Sequence, residues 1–226
     1  MKTIAPLFAA PPAALCITLL LAACGNNPPV PDWQMNAQSS IERSTAAYMS
    51  GNARVEAAEY QRAREALAST GKVDLMIRAE LIRCAARVAS LVFEDCAGYD
   101  KLSQDAGPAD RAYAAYLSGR ATAADAALLP AQHQPVATAS GDAAATGAVQ
   151  AIADPMSKLV ASGVLLRTGK ATPEILRDAV DAASAQGWRR PLLAWLGVQA
   201  MRAEKSGDTA EAQRLKRRID LVSEKP

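Results

Sequence analysis

The stretch "KVDLMIRAELIRCAARVASLVF", residues 72–93, decides the fold. Leu75, Ala79, Ile82, Ala86, Ala89 and Phe93 recur at helical spacing and form one apolar stripe. Ile77, Leu81, Cys84, Val88 and Leu91 form a second. At about 100° per residue the stripes lie on nearly opposite sides of a helix. A surface helix needs one apolar face. Two faces require a helix sandwiched between neighbours, as in a stacked helical array. Glu80, Arg83 and Arg87 fill the narrow sector between the stripes. That sector reads as a solvated edge carrying a local Glu80–Arg83 pair.

The flanking sequence is punctuated for helices. Ser39-x-x-Glu42 has the capping-box pattern, which predicts a helix opening at Ser39 and running toward Met49 and Gly51. In "NARVEAAEYQRAREALASTG", Ala53, Ala57, Tyr60, Ala63 and Leu67 make one helical face, and Gly71 is a natural stop. Residues 109–118 and 121–129 read as two short Ala-rich helices separated by Gly119 and ended by Pro130. Further on, Asp154-Pro155 and Thr172-Pro173 each pair an N-cap with a proline at the first helical position. Those helices stop at Gly169 and Gly187. Pro191 opens a helix that runs to Gly207, and Asp208-x-x-Glu211 opens the last, whose "RLKRRIDLV" places cations near a helix C-terminus. No strand-like alternation of any length interrupts this pattern. The expected fold is all-α, built from antiparallel helical hairpins.

Composition agrees. Half of the residues are apolar and only 4% are aromatic. An Ala/Leu-rich core suits closely packed helices and is poor material for a β-sandwich. The net charge of +2 gives no field that would point to nucleic acid. The expected organisation is a leader over residues 1–23, a modified Cys24 with an extended spacer to residue 38, and a helical region over 39–130. A linker or partly helical connection follows over 131–154, then a second helical region over 155–223. The spacer reading rests on "NNPPVPD", because Pro-rich segments are extended and semi-rigid.

The leader explains the spacer. Lys2 is the only charge before Cys24, and residues 13–23, "AALCITLLLAA", are apolar throughout. The run is shorter than the roughly 20 apolar residues of a spanning helix, and Pro6, Pro11 and Pro12 interrupt its extension backwards. This is the layout of a secretory signal peptide. Its end, Leu21-Ala22-Ala23-Cys24, resembles the lipobox of bacterial lipoproteins. The resemblance implies cleavage before Cys24, a diacylglyceryl group on its sulfur and an acylated amine. Gly25, where an Asp favours inner-membrane retention in that family, implies the outer membrane. Two or three acyl chains give a lasting anchor, where one holds only marginally. Cys84 and Cys96 remain in the exported body, and an even number there favours a disulfide. A free thiol pair is the alternative.

Two segments resemble tetratricopeptide (TPR) hairpins. Gly51 is followed by Tyr60 and Ala63 nine and twelve residues on, matching that family's Gly, aromatic and Ala positions. The Ala expected five residues after the Gly is Glu56. Gly207 is followed after five residues by Ala212, but the later aromatic position is Lys216. No clean 34-residue period links the two. The resemblance implies an irregular TPR-like array that binds protein or peptide in a concave groove.

Catalytic signatures are absent: no G-x-S-x-G, no phosphate-binding glycine loop and no H-E-x-x-H. His133 is the only histidine and falls in the 131–154 segment, where an exposed position is expected. No cofactor or metal is implied. Glu94, Asp95 and Asp100 cluster near Cys96, and Asp178 and Asp181 share one predicted helix. Paired carboxylates are what a glycan-cleaving enzyme uses. In "SAQGWRRPLLAWLG", residues 184–197, Trp188, Arg189 and Arg190 sit where one helix ends and the next begins. Trp and Arg are enriched at binding hot spots. The other reading packs Trp188 back on the preceding helix and places Trp195 in the core. The expected function is that of an outer-membrane lipoprotein facing the periplasm, a non-catalytic adaptor or scaffold for an envelope protein. The alternative is a periplasmic enzyme acting on peptidoglycan or glycan through a carboxylate pair.

Overall fold

Twelve α-helices and one short 3-10 turn make up the described part of the chain, residues 29–224 of a computed structural model, with no strand among those residues. The chain divides into Met1–Pro31 and Asp32–Pro226, and every helix among the described residues belongs to the second unit. The leader and Cys24 lie outside the described residues. Helices α1 (Asp32–Ser50), α2 (Ala53–Ala68) and α3 (Val73–Ala89) come first. The short α4 (Ala97–Asp100) precedes α5 (Pro108–Leu117), α6 (Ala123–Ala126), α7 (Gln134–Thr138) and α8 (Asp142–Gln150). Then come α9 (Pro155–Arg167), α10 (Pro173–Ala185), α11 (Arg189–Ser206) and α12 (Thr209–Ser223). Successive long helices pack as neighbours: α1 on α2, α9 on α10, α10 on α11, and α11 on α12.

Helix α3 is buried on two sides, as its stripes require. Ile77, Leu81, Cys84 and Val88 join a main core that also holds Tyr48, Leu117, Leu159, Trp195 and Leu215. Ala79 joins Ala37 and Leu67 in a smaller cluster under α1 and α2. Helices α3 and α9 come into backbone contact at Gly163. A Cβ there would lie 2.5 Å from the Val88 carbonyl oxygen, so only glycine lets the two backbones approach this far. The predicted stripe is imperfect at its edges, since Ile82 is exposed and Phe93 only half-buried. The helix also stops at Ala89, and Leu91 takes a left-handed φ of 60°. The Cys84–Cys96 disulfide explains the stop. Its Cα atoms are 5.7 Å apart across 12 residues, where a continued helix would separate them by about 18 Å.

Several caps form as the sequence predicts. Asp154 accepts from Ser157 N at 2.7 Å, Thr172 from Ile175 N at 3.3 Å and Asp208 from Glu211 N at 3.0 Å. Ser39 is a correction. Helix α1 begins at Asp32, so residues 32–38 are helix rather than spacer, and Ser39 lies inside it, its hydroxyl donating to Asn36 O. Trp33 and Ala37 pack with Leu67 and Ala79, and that burial carries the helix two turns upstream of the local cap signal. Of the 121–129 helix only Ala123–Ala126 forms, opened by a Thr122/Asp125 capping box.

Residues 131–154 hold α7 and α8. Val136, Ala145, Val149 and Ile152 pack there with Ala161, Leu165 and Ile175 from α9 and α10. His133 is not an exposed loop residue: it is 1% accessible, with Nδ1 3.4 Å from the Tyr116 hydroxyl. Burial pushes its pKa down to about 4 against the pull of Asp154. The ring fills space beside Tyr113 and Tyr116 as a neutral aromatic body.

Candidate functional site

The polar residues of α2 and α3 gather on their facing sides. Tyr60, Ala63 and Leu67 are buried as the periodicity predicts, but Ala53 and Ala57 are exposed, and Glu56 and Glu59 turn inward instead. Each buried acid meets a cation from another turn or helix. Arg83 Nε donates to Glu56 Oε1 at 2.8 Å. Arg64 Nη1 donates to Glu80 Oε1. Arg43 Nε donates to Glu59 Oε2 at 2.9 Å, and that bond holds the Glu59 carboxyl below the usual carboxylate range. The sector of Glu80 and Arg83 is therefore an interhelical seam, not a solvated edge, and the two do not pair with each other. Their partners lie 16 and 27 residues upstream on α2. A like-placed local pair would leave Glu56 uncompensated in a buried setting, which is costly.

A groove opens along this seam. Its larger part, about 500 Å³, is lined by Tyr60, Arg64, Glu80, Arg83, Gly98 and Lys101 among others. A smaller recess of about 170 Å³ shares Glu80, Arg83 and Gly98 and extends to Arg87, Glu94 and Asp95. The far wall is the segment after α3, pinned by the disulfide and closed by α4. Gly98 sets the approach of that wall, because a Cβ there would fall 2.0 Å from Glu80 Oε2. The Arg83 guanidinium carbon sits 4.4 Å from the Tyr60 ring centroid, so the ring orients the cation from below. The Tyr60 hydroxyl is enclosed beside the Glu80 carboxylate and the Arg64 guanidinium. Burial first, and then the hydrogen bond to Glu80 and its charge, raise its pKa well above the ordinary tyrosine value against the pull of Arg64, so it stays neutral.

Residues singled out in the sequence fall in several places. Glu94 and Asp95 reach the groove's smaller recess. Asp100 is exposed on α4. Asp178 accepts from Gln150 Nε2 at 3.1 Å on α10, away from the groove. Among the described residues no three His, Cys, Asp or Glu side chains gather where a metal ion could be held. Also among them, no helix is long and apolar enough to cross a membrane.

Trp188, Arg189 and Arg190 are brought together at the start of α11. Trp188 is half-buried against the main core, and its N–H bonds Ala183 O across a left-handed Gly187, a Schellman closure of α10. Arg189 donates to Val222 O at 2.8 Å and Ser223 O at 2.7 Å, satisfying the open carbonyls at the end of α12. Arg190 donates to Tyr48 O at 2.8 Å and lies 4.4 Å over the Tyr48 ring, tying α11 to α1. Both guanidiniums are thus engaged within the chain. Trp195 is fully buried, and its indole N–H donates to Ala89 O at 3.0 Å, a carbonyl left open where α3 ends.

Sequence reading missed Tyr60 as a groove residue, Glu56 and Glu80 as buried acids, and Gly98 as the contact that closes the wall. The signal available was the alternation of acids and arginines on both α2 and α3, which complement each other once the helices are set antiparallel. Comparison of the chain with protein-family models, with curated proteins and with solved structures gives no match.

Proposed function

We propose that this protein is an outer-membrane lipoprotein, anchored through Cys24 and facing the periplasm, that acts as a non-catalytic adaptor or scaffold for another envelope protein. The observation that carries the adaptor reading is the groove between α2, α3 and the disulfide-pinned wall. Two of its cations are preset before any partner arrives: Arg64 by Glu80, and Arg83 by Glu56 and the Tyr60 ring. Preset Arg and aromatic side chains lose little freedom on binding and are favoured as binding anchors. The one carboxylate buried in the groove, Glu80, is tied to Arg64, which suits a fixed electrostatic surface better than a proton-transferring pair. The anchor reading rests on the lipobox-like leader, and the hairpin packing is compatible with an irregular TPR-like array.

The test is capture of the tethered protein from detergent-solubilised envelope membranes after mild cross-linking. Lys101 is exposed on the groove rim and forms no ion pair with the described residues, so Lys101→Glu reverses a rim charge without removing an ion pair among them. The expected result is one envelope protein held by the wild type and reduced at least tenfold with the variant. Undiminished capture by the folded variant would remove the groove from the proposal.

A further inference from the structure

Resting on the anchor at Cys24 proposed above, we infer that the end of the body where α1 and α3 both begin is a second, shallow membrane contact, seated on the surface of the bilayer that holds Cys24. Met35 and Val73 are the side chains that enter the bilayer interface, with Trp33 at its boundary.

The first three helices define this end. Helix α2 runs antiparallel to α1, which sets Arg43 against Glu59 and Ser44 against Glu56. It also runs antiparallel to α3, which sets Arg83 against Glu56 and Arg64 against Glu80. Helices α1 and α3 therefore start side by side, and Lys72 Nζ lies 5.8 Å from the Trp33 ring centroid. Met35, in the first turn of α1, is 51% exposed, and Val73, the first residue of α3, is 41% exposed. Trp33, Leu75 and Met76 are half-buried against the small cluster of Ala37, Leu67 and Ala79. A tryptophan with apolar neighbours and a lysine over its ring is the composition that settles at a bilayer surface. The ring is apolar on one side and wet on the other, and the lysine reaches back to the head groups.

The chain that leads to this end names what covers it. Helix α1 starts at Asp32, so only residues 25–31 join it to Cys24. Their full extension is about 28 Å. A tether of that length holds the start of α1 near the surface at roughly millimolar effective concentration, which is enough for a patch too small to bind unaided. Met201 and Leu221, exposed on the last two helices, have no such link to the membrane.

The charges make the contact apolar. On the end turns Asp32, Glu65 and Asp74 stand against Lys72 alone. Arg64 is spent on Glu80, and Arg78 faces Asp110 at 3.9 Å. An anionic surface would repel this end, so the contact is to zwitterionic lipid through buried apolar area. The groove stays clear of it. Arg83 is ten residues beyond Val73 on α3, about 15 Å along the helix, so a body seated on this end carries the groove above the surface.

The experiment couples the mature, disulfide-intact chain through Cys24, its one free thiol, to a maleimide lipid in phosphatidylcholine vesicles. That supplies the tether whether or not cells acylate Cys24. The vesicle lipid carries bromine on its acyl chains, which quenches tryptophan emission at short range. The expected result is quenching that disappears in Trp33→Phe and persists in Trp188→Phe. Met35→Glu combined with Val73→Glu should abolish it and leave the melting temperature level. Adding phosphatidylglycerol should not strengthen it, and high salt should not remove it. No quenching in the coupled wild type would overturn the inference, as would quenching kept by the double Glu variant. Quenching that appears only with phosphatidylglycerol and vanishes in salt would overturn it too. A lower melting temperature in the double Glu variant would assign Met35 and Val73 to packing instead. Dimerisation of the uncoupled chain, broken by the same two substitutions, would give this end to a second copy and overturn the membrane contact. Quenching of the coupled chain with Cys24 unmodified in cells would sink the anchor reading and leave the contact standing. An acylated Cys24 with no quenching would do the reverse.

Discussion

Three glycines lie inside the longer helices α8, α9 and α11, and the same substitution should act on them with opposite signs. Gly197 in α11 and Gly147 in α8 have nothing within 4 Å of where a Cβ would stand. Alanine there removes the backbone entropy that glycine loses on folding, a gain of about 0.8–1 kcal/mol each. Gly163 in α9 faces the Val88 carbonyl oxygen at 2.5 Å, Val88 Cγ1 at 3.0 Å and the carbonyl carbon at 3.2 Å. An ordinary contact needs about 3.5 Å, so the α3–α9 seam must open by close to 1 Å. A gap of that size forfeits a quarter to a half of each dispersion contact across it. The neighbours Val88, Leu159, Val160 and Val164 are all buried in the main core. Their combined loss, partly recovered by relaxation, is about 3 kcal/mol, in line with the upper range for overpacked cores. Subtracting the helix-propensity gain leaves Gly163→Ala destabilised by about 2 kcal/mol.

For a chain of this length that is a fall of about 4–8 °C in melting temperature, against a rise of about 2–4 °C for Gly197→Ala and Gly147→Ala. Thermal and urea unfolding followed by circular dichroism on disulfide-intact protein would measure all three. A Gly163→Ala protein at least as stable as the wild type would refute the close crossing of α3 and α9. A destabilised Gly197→Ala would refute the assignment of open space beside α11.

The remaining predictions concern the cysteines, the buried histidine and the anchor. Cys84 and Cys96 should resist alkylation in protein taken from the envelope without reductant, and the double Ser variant should lose about 3 kcal/mol, the loop-closure value for this separation in the chain-entropy account. His133 should make stability fall with acid: its folded pKa of about 4 lies below the unfolded value near 6.5, so the unfolded chain takes up the proton first. That contribution is complete above about pH 6.5 and is lost as pH falls toward 4, about 3 kcal/mol in all. His133→Leu should flatten the melting-temperature profile in that window, and an unchanged slope would count against a neutral buried ring. Cys24→Ala should release the protein from outer-membrane fractions or leave its precursor uncleaved, whereas continued co-fractionation with lipidated material would sink the lipobox reading.

The all-helical class was legible because its signals are local. Asp154-Pro155, Thr172-Pro173 and Asp208 cap helices from within three residues, and each forms as read. The two stripes of α3 were legible too, because burial on two sides leaves a periodic trace in one segment. Where the reading failed, a distant partner outweighed the local signal. Ser39 looks like a cap, yet Trp33 and Ala37 find Leu67 and Ala79, and the helix starts at Asp32. His133 sits in a segment poor in charge and looks exposed, yet Tyr113 and Tyr116, about twenty residues back, close over it.

The groove shows the same division more sharply. Glu56, Glu59 and Glu80 each look like an exposed helical acid, because a carboxylate is seldom buried without a partner. What buries them is a cation from elsewhere in the chain, Arg83 for Glu56, Arg43 for Glu59 and Arg64 for Glu80. Neither half of such a pair predicts burial alone, and helical spacing within one segment cannot match them. The antiparallel setting of α2 against α3 does, since it runs the order Glu56, Tyr60, Arg64 against Arg83, Glu80. Two crossed ion pairs with a tyrosine between them then fix the register of the hairpin, because sliding it by one turn would leave two buried acids without cations. The same crossing leaves the Tyr60 hydroxyl enclosed beside Glu80 and Arg64, and Gly98 able to lie against Glu80. The feature that sets the packing of these two helices is thus also the one that leaves an open row of donors on their surface.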